Sequence, residues 1–285
     1  MSELRGREGV EASVKMEEFE VLAQGLFTQN DVQVDYRPGR HVRWGHSAET
    51  FIENTWQAHL RASCGRRMTA YNGNVFHLDA FNKTSDRLFL TVSDMEFRSC
   101  IGTGTADFAV AFPHEPQANP LSVSIVLVTM DGKIVLEKRS RIDARRRRYH
   151  VIAGFMEHGH DVLDSKLHPF DTIKREVREE LGLTFATPLY ATGLVRAITG
   201  SEICFYSRLN ISYKTLLKIK ATGKTDAEIE ALEAIDDSPT AIADFLADHT
   251  ADLVYFGRAC LLLYGHIAYG KEWYEKHTAT TINTN

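Results

Sequence analysis

Hydrophobic positions in the first half of the chain change their spacing, and each spacing predicts a different element. Residues 48–60 carry apolar side chains at helical spacing, which predicts a helix with one buried side. Residues 75–81, after an Asn-Gly turn signal, and residues 87–92 alternate or cluster apolar positions as strands do. A short helix is predicted at 94–101. This half therefore has the pattern of a small α+β unit.

The second half has a clearer pattern: β-prone runs, an amphipathic helix among them, and a mostly helical C-terminal part. Asp131-Gly132 is a hairpin turn signal between two such runs. Gly182 follows the amphipathic helix in the position that commonly ends helices. The sequence predicts strands at 121–130, 133–140, 149–154, 185–198 and 202–213, a helix at 171–181, and mostly helix from 225 onward, including 226–235.

Prolines suggest where the chain divides. Residues 112–120 hold three of the seven prolines and are interpreted as a linker. The predicted organisation is a loose N-terminal segment at 1–20, an α+β domain at 21–118, and a larger domain with C-terminal helices at 119–285.

Composition and charge argue against several classes of protein. The net charge of -5 argues against a nucleic-acid or membrane partner. The four cysteines form no C-x-x-C pair, so a zinc or redox motif is not supported. No apolar run approaches the roughly 20 residues that span a bilayer, and the start shows no secretory signal. We therefore expect a cytoplasmic protein.

The segment REVREELGL, residues 175–183, carries the most informative chemistry. In a helix, Glu176, Glu179 and Glu180 share one face because they are spaced at i, i+3 and i+4. Mg²⁺ prefers oxygen ligands, often carboxylates together with substrate phosphates. The three glutamates are therefore candidate metal ligands, whereas a solvated acidic face is the alternative interpretation.

The order of these residues resembles the second half of the Nudix box, R-E-U-x-E-E-x-G-U, where U is aliphatic. Upstream, HVIAGFMEHG is similar to the family's entry to the box, with Gly154 in the first glycine position. The preceding hairpin, with its Lys138-Arg139 ending, also resembles the first strands of the family. The resemblance covers about residues 121–210.

The box departs from the family pattern in two ways. His160 stands where the family has a glutamate that pairs with the box arginine. Gly154 and Arg175 are 21 positions apart, against 14 in the family, so seven residues are inserted. Asp171, four residues before Arg175, is predicted to take over the pairing, with Glu157 as the other nearby carboxylate.

The Nudix resemblance implies an α/β/α sandwich with a mixed sheet, preceded here by the smaller α+β unit. It implies a diphosphohydrolase that uses Mg²⁺, with Mn²⁺ as a substitute. Glu179 and Glu180 would be the principal metal ligands, and Glu176 a further ligand or the group that activates water. Glu202, expected in a turn, is a candidate general base, with an exposed turn residue as the alternative.

Substrate-binding candidates lie around the box. Arg147 and Arg148 end a run of four arginines and suit a bidentate grip on a diphosphate, with a solvated loop as the alternative. Arg139 and Gly154 complete the candidate set. The N-terminal unit, with residues 97–103, loosely resembles a Nudix subgroup that acts on UDP-glucose or GDP-mannose.

The resemblance favours a nucleoside diphosphate-linked small molecule as the partner, most of all a nucleotide sugar. ADP-ribose, a dinucleotide cofactor and a damaged nucleoside triphosphate are alternatives. A non-catalytic Nudix-fold ligand sensor is the alternative from another class, and the N-terminal extension could instead serve packing or homodimer formation.

Overall fold

The computed structural model of the chain describes residues 19–63, 72–139, 149–163, 166–222 and 229–283. Its strands are β1 (Glu20–Phe27), β2 (Val32–His41), β3 (Asn74–Lys83), β4 (Leu88–Glu96), β5 (Leu121–Val128), β6 (Lys133–Arg139), β7 (Tyr149–His150), β8 (Ile152–Phe155), β9 (Val162–Leu163), β10 (Lys166–Leu167), β11 (Leu189–Ala197), β12 (Gly200–Arg208) and β13 (Ile229–Asp236). Its helices are α1 (His46–Ser63), α2 (Phe97–Thr103), α3 (Ala106–Ala111), α4 (His158–Asp161), α5 (Pro169–Leu181), α6 (Tyr213–Thr222), α7 (Pro239–Asp248), α8 (Tyr255–Tyr269) and α9 (Lys271–Asn283).

A mixed sheet forms the centre of the fold. Its strand order is β1-β11-β12-β5-β6-β13, with β7 paired to β6 and β8 paired to β5. Strands β5 and β12 run parallel, and the other described pairs in this sheet are antiparallel. A separate three-stranded sheet has the order β2-β4-β3.

Helices cover both faces of the central sheet because its strands are apolar on both sides. In β5, Ile125 and Leu127 belong to the buried cluster that contains the core side of α5. The intervening Val126 and Val128 belong to the cluster that contains α8. The predicted α/β class, with helices around a mixed sheet, is confirmed.

The three-stranded sheet shares its core with the α5 face of the central sheet. Phe76 of β3 and Val92 of β4 lie in the same buried cluster as Ile173 of α5. Strand β1, most of which falls within the predicted N-terminal domain, pairs with β11 of the central sheet. The division into domains at 20 and 118 stays a prediction.

The helix predicted at 226–235 is wrong over its described part, which is β13. Glutamate and alanine favour helix locally, but residues 229–236 pair with β6 in an antiparallel register. Leu232 packs toward the α5 face and Ile235 toward the α8 face, as the alternation of a strand requires. Long-range pairing therefore overrides the local preference.

In the described part of the chain, no helix combines the length and the apolar character needed to cross a membrane.

Candidate active site

Helix α5 carries the three predicted metal-binding glutamates and has strong signals at both ends. Pro169 occupies the first turn after the N-cap residue His168. Gly182 follows the helix with φ 71°, a left-handed conformation that glycine adopts without strain, and its N–H donates to the Arg178 carbonyl. Ile173 and Val177 are fully buried against the sheet. The helix and its end at Gly182 are therefore as the sequence predicts.

The carboxylate of Glu176 lies directly against the backbone of Gly154 in β8. A Cβ added at Gly154 would stand closer than 3.0 Å to three atoms of that carboxylate. Burial raises the pKa of Glu176 to about 7, and this effect outweighs the lowering by the Arg175 charge. The site thus holds a carboxyl group that titrates near neutral pH.

Arg175 connects the carboxylates of the site. One of its amino groups, Nη1, lies 2.8 Å from Glu176 Oε1 and 3.0 Å from Glu179 Oε2. Its other amino group, Nη2, donates to the Phe155 carbonyl at 3.1 Å. The side chain is only 11% exposed. A cation therefore already lies between two of the predicted metal ligands.

Asp161, next to the anomalous His160, is the carboxylate that pairs with Arg175. Arg175 Nε donates to Asp161 Oδ1, and Arg175 Nη2 donates to Asp161 Oδ2, both at 2.9 Å. These two parallel hydrogen bonds give the bidentate geometry of a strong charge-assisted pair. The prediction that Asp171 pairs with Arg175 is wrong, because Asp171 is exposed and pairs with Lys174 at 3.1 Å.

The carboxylate that pairs with Arg175 lies at position 161 instead of position 160, and the short helix α4 explains this shift. Residues 158–161 form the short helix α4, in which His160 points outward, with 61% of its side chain exposed. Asp161 points inward with 2% exposed, and its Oδ2 also accepts the Glu157 N–H at 2.7 Å. The sequence signal for Asp161 was its place one residue beyond the expected glutamate.

The other two glutamates differ in exposure. Glu179 is 45% exposed, whereas Glu180 is buried. Within the described ranges, no three carboxylate, imidazole or thiol groups are arranged to hold a metal ion. The donor chemistry fits a hard divalent cation, because two carboxylates already converge on the Arg175 cation and the third lies on the next residue of α5.

Glu202 is not brought together with the α5 glutamates. It lies in β12, is buried rather than in an exposed turn, and its Oε2 accepts the Ser122 hydroxyl at 2.9 Å. Its neighbour Ile203 packs on the α5 side, and Cys204 packs on the α8 side. Alternation therefore puts Glu202 on the α8 face, and its role as a base stays a prediction.

The arginine candidates are only partly located. Arg139 is the last residue of β6. Arg147 and Arg148 lie outside the described residues. Gly154 is placed by its contact with Glu176, and the role of these four residues toward a substrate stays a prediction.

Comparisons with known proteins give a partial likeness. No family model matches the chain, and no curated protein matches it. A NUDIX hydrolase from Nitrosomonas europaea is similar at 17% identity and TM-score 0.35, over 51% of this chain and 88% of that chain. The NUDIX domain of Shewanella oneidensis NrtR, solved with ADP ribose, is similar at 18% identity and TM-score 0.35, over 55% and 99%.

A bifunctional NMN adenylyltransferase/ADP ribose pyrophosphatase from Francisella tularensis, solved with AMP and a Mn ion, has 11% identity and TM-score 0.33, over 57% of this chain and 44% of that chain. Likenesses at these scores identify no substrate for this chain.

Proposed function

We propose that the chain is a Nudix-type hydrolase that cuts the diphosphate linkage of a nucleoside diphosphate derivative. The observation that carries this proposal is the site around α5. Within it, the Glu176 carboxylate lies against Gly154, and both Glu176 and Glu179 contact the Arg175 guanidinium. A solvated acidic face would not bury Glu176 or Glu180, and both are buried.

Glu176, Glu179 and Glu180 would hold the metal, Mg²⁺ or Mn²⁺. When bound, the metal would neutralise charge on the diphosphate oxygens and make a water molecule more acidic. Because the three glutamates sit on consecutive turns of one rigid helix, their spacing would be fixed before the substrate arrives.

The protein's own groups would handle the proton and the geometry. Glu176 would be either the third metal ligand or, beside a metal held by Glu179 and Glu180, the group that accepts a proton from the attacking water. In the metal-free protein, burial raises its pKa to about 7. Asp161 would keep Arg175 in place, and Arg175 would hold the Phe155 carbonyl, at the end of β8, together with Glu176 and Glu179. Water would attack one phosphorus, and the other phosphate would leave.

Among substrates, we favour a nucleotide sugar, which would give a nucleoside monophosphate and a sugar phosphate. The support is the N-terminal unit, whose sequence resembles the UDP-glucose and GDP-mannose subgroup. ADP-ribose and dinucleotide cofactors are the competing substrates, because the same chemistry at the diphosphate serves them all.

The test is a panel assay with purified protein and Mg²⁺. UDP-glucose, GDP-mannose, ADP-ribose, NADH and dinucleoside polyphosphates are incubated with the protein and with alkaline phosphatase, which releases phosphate only from the products. Glu180→Gln is the matched control, because it keeps the volume of the side chain and removes the charge. We expect turnover with wild type and none with E180Q, with both proteins equally folded.

Equal turnover in both proteins would show that the metal is held elsewhere. If the panel gave no turnover while calorimetry detected binding of a substrate, the hydrolase would be replaced by the ligand sensor.

A further inference from the structure

We propose that the three-stranded sheet β2-β4-β3 positions the glutamates of this site by holding helix α4 in place. His158 is the positioning residue that joins α4 to this sheet. The proposal rests on the proposed function for its effect on turnover. Its structural part concerns residues 156–163, which follow β8 and include Asp161.

The first contact is between backbones. Val75 of β3 forms an isolated antiparallel bridge with Glu157, the residue just before α4. Val75 itself is buried together with Met95 of β4. The start of this segment is therefore attached to an ordered edge of the three-stranded sheet.

The second contact is the ring of His158. It stacks on Phe76 with centroids 5.9 Å apart and planes at 22°, and it meets Tyr36 at 6.2 Å and 69°. Phe76 is fully buried, and its ring meets Tyr36 edge-on at 5.2 Å. The histidine thus packs on an aromatic pair that belongs wholly to the three-stranded sheet.

Asp94 stiffens that aromatic pair. Its carboxylate accepts the Tyr36 hydroxyl and the Gly39 N–H, both at 2.7 Å. His158 Nε2 is 4.0 Å from Asp94 Oδ1, too far for a hydrogen bond. Ring packing on Phe76 and Tyr36 is therefore the contact that a phenylalanine at this position would keep.

The inserted residues strengthen the same attachment. Residues 162–163 and 166–167, in the region of the insertion, form the paired strands β9 and β10, and β10 lies against β2. Leu167 is 4% exposed and belongs to the buried cluster that includes Phe76 and Val92. The longer loop thus gives this box a second anchor on the three-stranded sheet.

The path from His158 to the glutamates is short. His158 begins α4, and Asp161 ends it, with the Asp161 N–H bonded to the Glu157 carbonyl at 2.9 Å. Asp161 holds Arg175 by two hydrogen bonds, and Arg175 contacts Glu176 and Glu179. A shift of α4 would therefore reach both glutamates through Arg175.

The test compares His158→Ala, which removes the ring, with His158→Phe, which keeps a ring of similar size. His160→Ala is the matched control, because it removes the same side chain from the exposed side of the same helix. The first readout is the hydrogen-exchange rate of the Arg175 Nε proton in metal-free protein, measured by ¹⁵N NMR. The signal of this proton is assigned as the one that is missing in the Arg175→Lys variant. The second readout is kcat and its dependence on Mg²⁺ concentration. It is measured for each single variant and for His158→Ala combined with Asp161→Asn.

We expect H158A to speed Nε–H exchange and to lower kcat by about tenfold or more, since displacements of about 1 Å can cost up to a hundredfold. H158F and H160A should stay near wild type in both readouts. H158A added to D161N should cause no further loss, because both act on Arg175.

Unchanged exchange in H158A, exchange as fast in H158F as in H158A, or losses that multiply in the double variant would overturn the proposal. If wild type turned over no substrate, the proposed function would fail, and the exchange readout would still decide the positioning role.

Discussion

The carboxylate of Glu176 occupies the space that a side chain at position 154 would need. A Cβ on Gly154 would stand closer than 3.0 Å to both carboxylate oxygens and to Cδ of Glu176. The first glycine of the box is therefore tied to the first glutamate, which lies 22 positions later in the chain. Gly154 has no left-handed φ, so the contact, and not backbone freedom, calls for glycine here.

This contact predicts the effect of Gly154→Ala. The added methyl group must push the Glu176 carboxylate away, because the opposing atoms are carboxyl atoms of a buried side chain. We expect turnover to fall by about a hundredfold, as for a catalytic group displaced by about 1 Å. Steady-state kinetics measure the loss, and circular dichroism checks the fold.

The matched control is Gly159→Ala, in the short helix α4. A Cβ there would meet no atom within 4 Å, and its φ is not left-handed. We expect G159A to keep turnover within about twofold, as for an exposed helical substitution. Equal losses in G154A and G159A would mean that the loop, rather than Glu176, is sensitive.

The pairing of Arg175 predicts a difference between two aspartates. Asp161→Asn leaves a guanidinium that is 11% exposed without its bidentate carboxylate, which should cost about 3 kcal/mol of unfolding free energy. Asp171→Asn breaks an exposed pair with Lys174 and should cost less than about 1 kcal/mol. Urea unfolding of the three proteins measures both values. Similar costs for the two variants would contradict this assignment of the arginine's partner.

The sequence predicted the parts of the site that depend on local signals. The helix predicted at 171–181 is α5, which begins two residues earlier, at Pro169, and ends before Gly182, because the apolar spacing and the final glycine act within a few residues. The shared face of the glutamates follows from helix geometry alone. The strands around the Asp131-Gly132 turn were predictable for the same reason.

The errors concern contacts between distant segments. Asp171 is at the spacing of a helical ion pair, yet Arg175 turns toward Asp161 across the loop. The glutamate- and alanine-rich residues of β13 form a strand because β6 offers an unpaired edge. The docking of the loop on the three-stranded sheet also depends on a pairing that no local pattern indicates.

The raised pKa of Glu176 predicts how stability depends on pH in metal-free protein. An unfolded glutamate has a pKa near 4.5, and the buried Glu176 has a pKa of about 7. Below pH 4.5 the carboxyl group is protonated in both the folded and the unfolded state, so its burial carries no penalty for charge. As the pH rises toward 7, the unfolded state loses this proton first, which favours unfolding. Stability should therefore fall by about 3 kcal/mol across this window.

Chemical denaturation at several pH values in the presence of a chelator measures this slope. Glu176→Gln cannot titrate and should flatten the slope between pH 4.5 and 7. Glu179→Gln removes a neighbouring charge that also raises the pKa of Glu176, so it should reduce the slope only in part, because burial is the larger cause. A slope that is the same in wild type and E176Q would assign the titration to another group.

The position of Glu202 predicts that it is dispensable for the chemical step. It lies on the α8 face of the sheet, bonded to the Ser122 hydroxyl, whereas the α5 glutamates lie on the other face. Glu202→Gln keeps a group that can accept the Ser122 hydroxyl, so the fold should persist. We expect kcat to fall by less than about tenfold, below the 10²–10⁴-fold that general base catalysis contributes. A loss as large as that of E180Q, in a protein with unchanged circular dichroism, would instead identify Glu202 as the base and require the sheet near Ser122, at the start of β5, to open toward the substrate.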